Sequence, residues 1–282
     1  MTHDRHWLGF LEKALGARRV VALEPSAPCA AGPGAAAGDL LFVPAGARLE
    51  RLPPGAVAWA AVADDIDDGC ACWRAPFRLR PAPGTATGAL AVHGPPVAEQ
   101  VAAQIAAIAS DDRARAPGDP LPDEAGRALR ALALARRSRR ALELGTGDGA
   151  GSLWLASALD ATGGHLVTIE RDSARWTRAR AHARRAGLEH VLDARLGEAE
   201  RLLSRLEGRY DLVVLDAERE RRAEHLLAVM PRCRRGALIV SPGAVAHAAA
   251  LARYQALVRT HVGLAAEHTI AAGHGLGLAL LA

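Results

Sequence analysis

Trp, Tyr and Phe together make up only 4% of the 282 residues, and Lys13 is the sole lysine. With so few aromatics among its basic residues the chain offers no base-stacking platform, and a nucleic-acid partner is not expected. Long hydrophobic runs are missing as well. Each is broken by Arg, Asp, Pro or Gly within about 20 residues, too soon for a membrane span. The start, MTHDRHWLGFLEKALGARR, lacks the basic-then-apolar order of a signal peptide, so a soluble cytoplasmic protein is expected. Cysteine is scarce, at four. The one-residue spacer of Cys70-Ala71-Cys72 misses the spacing of zinc sites, and Cys29 and Cys233 stand alone, so reduced thiols are expected.

What is present is enough apolar residue to build a core: 50% hydrophobic against 23% charged, which excludes a disordered chain. The net charge of +4 is almost all Arg on its positive side. The Arg-rich stretch 171–185 wraps around its helix without forming a stripe and reads as a solvated face. Two Pro/Gly-rich breaks, at 81–88 and 115–122, divide the chain. Residues 1–85 form a small α/β or β-rich unit with short strands at 18–24, 38–43 and 56–63. Residues 86–121 are linker and helix, the helix lying over 96–110 on the spacing of Val97, Val101, Ile105 and Ile108. Residues 122–282 form the main domain.

From residue 122 the pattern turns regular. Asp123 caps a helix running through residue 132. The strand Arg140-Ala141-Leu142-Glu143-Leu144 enters a glycine cluster, Gly145-Thr146-Gly147-Asp148-Gly149. Then come helix 152–159, strand 165–170, helix 172–186, strand 190–196, helix 198–206, strand 210–216, helix 221–230 and strand 236–240. A helix at 245–260 and two strand-like runs, 264–271 and 276–282, complete the chain. Such alternation predicts a mostly parallel sheet with helices on both faces, closed at one edge by an antiparallel hairpin.

Ligands of such sheets sit beyond the carboxyl ends of the strands. The G-x-G-x-G cluster lets the backbone approach a ligand closely, yet its spacing is not that of the dinucleotide loop. Glu143, just before it, would repel a pyrophosphate and favour an ammonium. Glu170, ending the second strand, can accept both hydrogens of a ribose diol. Glu198, in Gly197-Glu198-Ala199, can accept from an adenine amine. Together these acids describe a pocket for a nucleoside with a cationic tail and no phosphate, and S-adenosylmethionine is such a molecule.

The stretches ALELGTGDGAGSLWLASAL (141–159), LVTIERD (166–172), ARLGEAERLL (194–203), YDLVVLDAE (210–218), GALIV (236–240) and GHGLGLALL (273–281) resemble the class I methyltransferases. Within that class they are most similar to the O-methyltransferase family that includes the catechol and caffeoyl-coenzyme A enzymes. The resemblance covers roughly residues 95–282. It implies a Rossmann-like, seven-stranded sheet, S-adenosylmethionine as cofactor, a small-molecule acceptor and, often, a homodimer. The cofactor-binding set it suggests is Glu143, Gly145, Thr146, Gly147, Gly149, Ser152, Glu170, Arg171, Gly197, Glu198 and Asp216.

The departures bear on mechanism. The family holds a divalent metal through an Asp after strand four and an Asp-Asn pair after strand five. Asp216 matches the first, but Ser241-Pro242-Gly243 stands at the second and offers no carboxylate or amide. One aspartate, even with Glu218 nearby, cannot hold a hard cation, so no catalytic metal is expected. Ala150 and Gly151 replace a common Tyr-Ser pair. For proton removal the candidates are His247, after strand five, and His274, in the closing hairpin; Asp216 can orient the acceptor. The expected activity is metal-independent O-methylation of a small molecule. The alternatives are a non-catalytic binding or scaffold protein, and a methyltransferase acting on nitrogen, carbon or RNA.

Overall fold

The computed structural model describes residues 2–17, 20–22, 28–30, 40–43, 48–51, 57–60, 73–77, 88–92, 95–114, 121–270 and 272–282. A helix, α1 (Thr2–Leu15), precedes β1 (Val20–Ala22), β2 (Pro28–Ala30), β3 (Leu40–Val43), β4 (Arg48–Arg51), β5 (Val57–Ala60), β6 (Trp73–Phe77) and β7 (Gly88–Val92). Five of these strands form a sheet ordered β1-β3-β5-β7-β6, parallel over the first three and antiparallel over the rest, while β2 and β4 pair separately. The strands expected at 18–24, 38–43 and 56–63 are β1, β3 and β5. The sequence reading misses α1, whose buried Phe10, Leu11, Ala14 and Leu15 recur at helical spacing. It also misses β7, because GALAV lacks a strand's polar alternation. Since β7 pairs with β5 and β6, the sheet reaches Val92, past the boundary expected at 85. Cys70 and Cys72 lie outside the described residues, as does most of the 81–88 break.

Next come α2 (Glu99–Ala114) and α3 (Asp123–Arg136), then β8 (Arg140–Leu144), α4 (Ala150–Thr162), β9 (His165–Glu170), α5 (Ser173–Arg185) and β10 (Leu192–Leu196). The chain continues through α6 (Ala199–Leu203), β11 (Tyr210–Leu215), α7 (Arg222–Val229), β12 (Cys233–Pro242), α8 (Ala252–Thr260), β13 (Leu264–Ile270) and β14 (Leu276–Leu281). Seven strands form one sheet ordered β10-β9-β8-β11-β12-β14-β13. β14 runs opposite to the other six strands and is antiparallel to both β12 and β13. This is the expected Rossmann-like sheet, with the hairpin at its edge.

Alternate residues of each strand enter two cores, because both faces are covered. Ala141, Leu166, Leu212, Val214, Leu238 and Val240 pack with α2, α3 and α4. Leu142, Leu144, Val167, Ile169, Val213 and Ile239 pack with α7 and α8. Arg136, at the end of α3, ties α1 to the sheet: it donates to Ala14 O and, at 2.5 Å, to Gly236 O.

Three local expectations need correction. Pro122, not Asp123, is the N-cap of α3; Asp123 lies in the first turn and pairs with Arg127 at 2.6 Å. Helix α6 spans Ala199–Leu203 and is shorter than the expected 198–206. The alanine-rich stretch expected as helix 245–260 is helical only from Ala252. The N–H groups of Gly243 and Ala244 donate to Gly275 O, and those of Val245 and Ala246 to His274 O, at 2.8–3.1 Å. These bonds to the β13–β14 turn hold the segment out of a helix despite its high propensity.

Gly126 of α3 sits directly on the Trp154 indole of α4, and any Cβ there would run into the ring. Gly126→Val is therefore expected to lower unfolding stability by about 2–3 kcal/mol in denaturant titration.

Candidate active site

The order of the main sheet reverses between β8 and β11, so the loops leaving these strands diverge and open a crevice. Gly145 has φ +90°, and a Cβ there would collide with the backbone of Asp216 and Ala217 as it leaves β11. Only glycine allows the two loops to touch. Gly145 N and Thr146 N donate to Ile169 O at 2.9 and 3.3 Å, fixing the turn to β9 as well. The result is a cleft of about 370 Å³, within the range of small-molecule sites.

Of the residues expected there, Glu143, Gly145, Thr146, Gly147, Glu170, Arg171, Gly197, Glu198 and Asp216 line the cleft. Gly149 and Ser152 do not. Gly149, at φ +101°, starts α4 and packs close against Ala179 of α5. Ser152 is buried and its hydroxyl donates to Glu143 Oε2.

Glu143 is 2% exposed. Its Oε2 also accepts from Thr168 Oγ1 at 2.7 Å. Thr168 thereby spends its only hydrogen, so Thr146 must be the donor in its 2.6 Å bond to Thr168. Oε1 faces space kept open by Gly151, where a Cβ would lie 2.7 Å away. Burial drives the Glu143 carboxyl up to about 8, against the two hydroxyl bonds and with help from Asp216 and Glu170. Glu170 is buried too. Its Oε2 accepts from Gly147 N and its Oε1 from Asp172 N, each at 2.9 Å, which leaves a lone pair on each oxygen toward the cleft.

Arg171 pairs with Glu218 on the cleft wall. His225, from α7, also lines the cleft, with Nε2 3.3 Å from Glu200 Oε1 and 3.9 Å from Glu218 Oε2. Burial lowers its pKa against the pull of both carboxylates. Asp216, Arg219 and Leu121 belong both to this cleft and to a smaller adjoining one that contains Pro122, Ala125, Pro242, Gly243, His247 and His274. The two histidine rings meet edge to face at 5.6 Å, held there by the backbone bonds between residues 243–246 and 274–275. Under the floor lies Arg222, whose side chain is 1% exposed. Arg219, His225 and Arg222 were missed in the sequence. Their only signal was the spacing that puts 222 and 225 one turn apart on the helix following Asp216.

Residues 142–241 match the family model described as a methyltransferase domain. Over that stretch the chain is similar to methyltransferase domains. Its curated relatives include a catechol O-methyltransferase of Mycobacterium tuberculosis, 35% identical over 136 residues, which are 48% of this chain and 61% of that protein. The chain thus spans about three fifths of the length of that relative. Cofactor-bound Rv0187 from MTB is 29% identical, with a TM-score of 0.57, over 65% of this chain and 90% of its own. The O-methyltransferase TomG of Streptomyces achromogenes, solved with S-adenosylmethionine, is 26% identical, with a TM-score of 0.56, over 65% and 90%.

In this domain the buried Glu143 carries a pH signature. A carboxyl whose pKa rises on folding favours the folded state less as pH climbs from its unfolded value toward 8. Glu143→Gln removes that effect. Thermal or denaturant unfolding without ligand should show the variant gaining about 2 kcal/mol on the parent between pH 6 and pH 9; a pH-independent difference would contradict a buried carboxyl.

Proposed function

We propose that this chain moves a methyl group from S-adenosylmethionine to an oxygen of a small-molecule acceptor, without a metal ion, and leaves S-adenosylhomocysteine. The observation that carries this reading is the buried Glu143 beside a glycine-lined cleft, a carboxyl waiting for a cation that the cleft can admit. The cofactor, when bound, supplies an electrophilic methyl on a sulfonium. Glu143 then holds the ammonium of its methionine end, directly or through water. Glu170 uses its two remaining lone pairs on the ribose diol, and Glu198 accepts from the adenine amine. Gly145, Thr146, Gly147, Gly197 and Arg171 shape the walls around it.

The acceptor approaches along the wall that the two clefts share, since the smaller cleft, at about 20 Å³, admits only a water-sized group. Leu121 and Pro122 exclude water there, while Asp216 orients the hydroxyl toward the methyl. His247 or His274 would take up the proton of the acceptor hydroxyl. Among the described residues no three His, Cys, Asp or Glu side chains converge as a metal site. The stretch that should supply two metal ligands reads Ser241-Pro242-Gly243, and Ser241 already accepts from Arg222 at 2.8 Å. A hard cation does not fit that donor set. Among the described residues no helix is long and apolar enough to cross a membrane; a cytoplasmic setting and pairing with a second copy complete the proposal.

Two measurements test it. Calorimetry should find S-adenosylhomocysteine binding with release of close to one proton at pH 7, because the ligand's cation ionises Glu143. That release should vanish in Glu143→Gln along with about tenfold or more of the affinity. Absence of any binding heat would refute the cofactor, and binding without turnover of any phenol or carboxylate would favour the non-catalytic alternative. With an acceptor in hand, turnover should survive EDTA. Loss of the histidine serving as base should cut kcat by about 10²–10⁴ at neutral pH.

A further inference from the structure

Arg222 begins α7, and its side chain is buried under the point where the two clefts meet. Its Nη1 donates to Ser241 Oγ at 2.8 Å and to Pro242 O at 3.2 Å, and its Nη2 donates to Ala217 O at 3.0 Å. The same Nη2 lies 3.8 Å from Asp216 Oδ1. One guanidinium therefore ties the end of β11 to the end of β12, reaching the backbone against which Gly145 packs. Burying a guanidinium is costly unless its charge is paired and its donors are met. Here burial lowers the Arg222 pKa, and the Asp216 carboxylate is the largest influence restoring it.

The placement coincides with another feature. Asp216 and the stretch Ser241-Pro242-Gly243 stand where the resembled family keeps its metal ligands, and in this chain Arg222 reaches Asp216, Ser241 and the Pro242 carbonyl. We propose that the Arg222 guanidinium stands in for a divalent cation: a fixed internal charge that holds Asp216 toward the acceptor and keeps metal ions out. The proposal rests on the metal-free methyl-transfer reading above. Arg222 is a positioning residue, acting through Asp216. Its planar fork serves Ser241, Pro242 and Ala217 at once, which the single ammonium of a lysine cannot do. A metal ion bound at Asp216 would lie beside this buried positive charge and be repelled by it.

The test is a manganese titration of the full chain, read by loss of the free-ion electron paramagnetic resonance signal. The parent chain should take up no stoichiometric Mn²⁺ below about 1 mM. The double substitution Arg222→Met with Ser241→Asp, which removes the charge and adds a carboxylate, should bind one Mn²⁺ at least about tenfold more tightly than the parent. Stoichiometric uptake by the parent, abolished by Asp216→Asn, would overturn the proposal, and so would a folded double variant that gains no affinity.

If the double variant fails to fold, the parent titration and Arg222→Lys decide. That substitution should leave S-adenosylhomocysteine affinity within about twofold while kcat falls about tenfold or more, in a protein that still unfolds cooperatively but at a lower midpoint than the parent. Unchanged kcat in a folded Arg222→Lys protein would overturn the positioning role. Failure of the methyl-transfer reading appears separately, as no binding of S-adenosylhomocysteine to the parent.

Discussion

A carboxyl group shut away from water sets the terms for this domain. Glu143 sits at the end of the central strand β8, with both hydroxyl partners on one oxygen and the other turned toward open space. Desolvation makes its charge costly in the empty fold and correspondingly valuable when a cation arrives. The glycine turn gives such a ligand a place to lie. Gly145 must nestle on the backbone leaving β11, and Gly151 leaves room at Glu143 Oε1. Thr146 and Thr168 then fix the carboxyl's direction through a chain of hydroxyl bonds.

The same economy appears beside the smaller cleft, where charge is built in. Asp216 borders both clefts, and its neighbours on α7 and β12 belong to one buried network around Arg222. The turn at 273–275 completes the frame: it captures residues 243–246 by backbone bonds and so brings His247 beside His274. The two clefts thus share a wall made of Leu121, Asp216 and Arg219.

Much of this was legible in the residues. Strands alternate with helices, and each functional acid falls at a strand's carboxyl end, so periodicity alone locates Glu143, Glu170 and Asp216. The glycine loop is equally plain, because its spacing has a backbone reason. Other features depend on tertiary contacts and have no local signature. Ser152 looks like a ligand contact by position, yet the start of α4 turns it inward to Glu143. The alanine-rich run after β12 has high helix propensity, and only a distant turn keeps its first half unwound. Arg222 reads as one more arginine in an arginine-rich chain; its importance emerges only when α7 folds back over two strand ends. The N-terminal strand β7 (GALAV) escaped notice because short Ala- and Gly-rich strands carry little alternation, and β6 (WRAPF) because its proline reads as a break.

The most direct test of the account is a crystal structure of the chain soaked with S-adenosylhomocysteine. The ligand's amino group should lie within hydrogen-bonding reach of Glu143, directly or through one water, with both ribose hydroxyls on Glu170. A ligand whose amino acid end points away from Glu143, or a cleft that accepts a dinucleotide in its place, would contradict it.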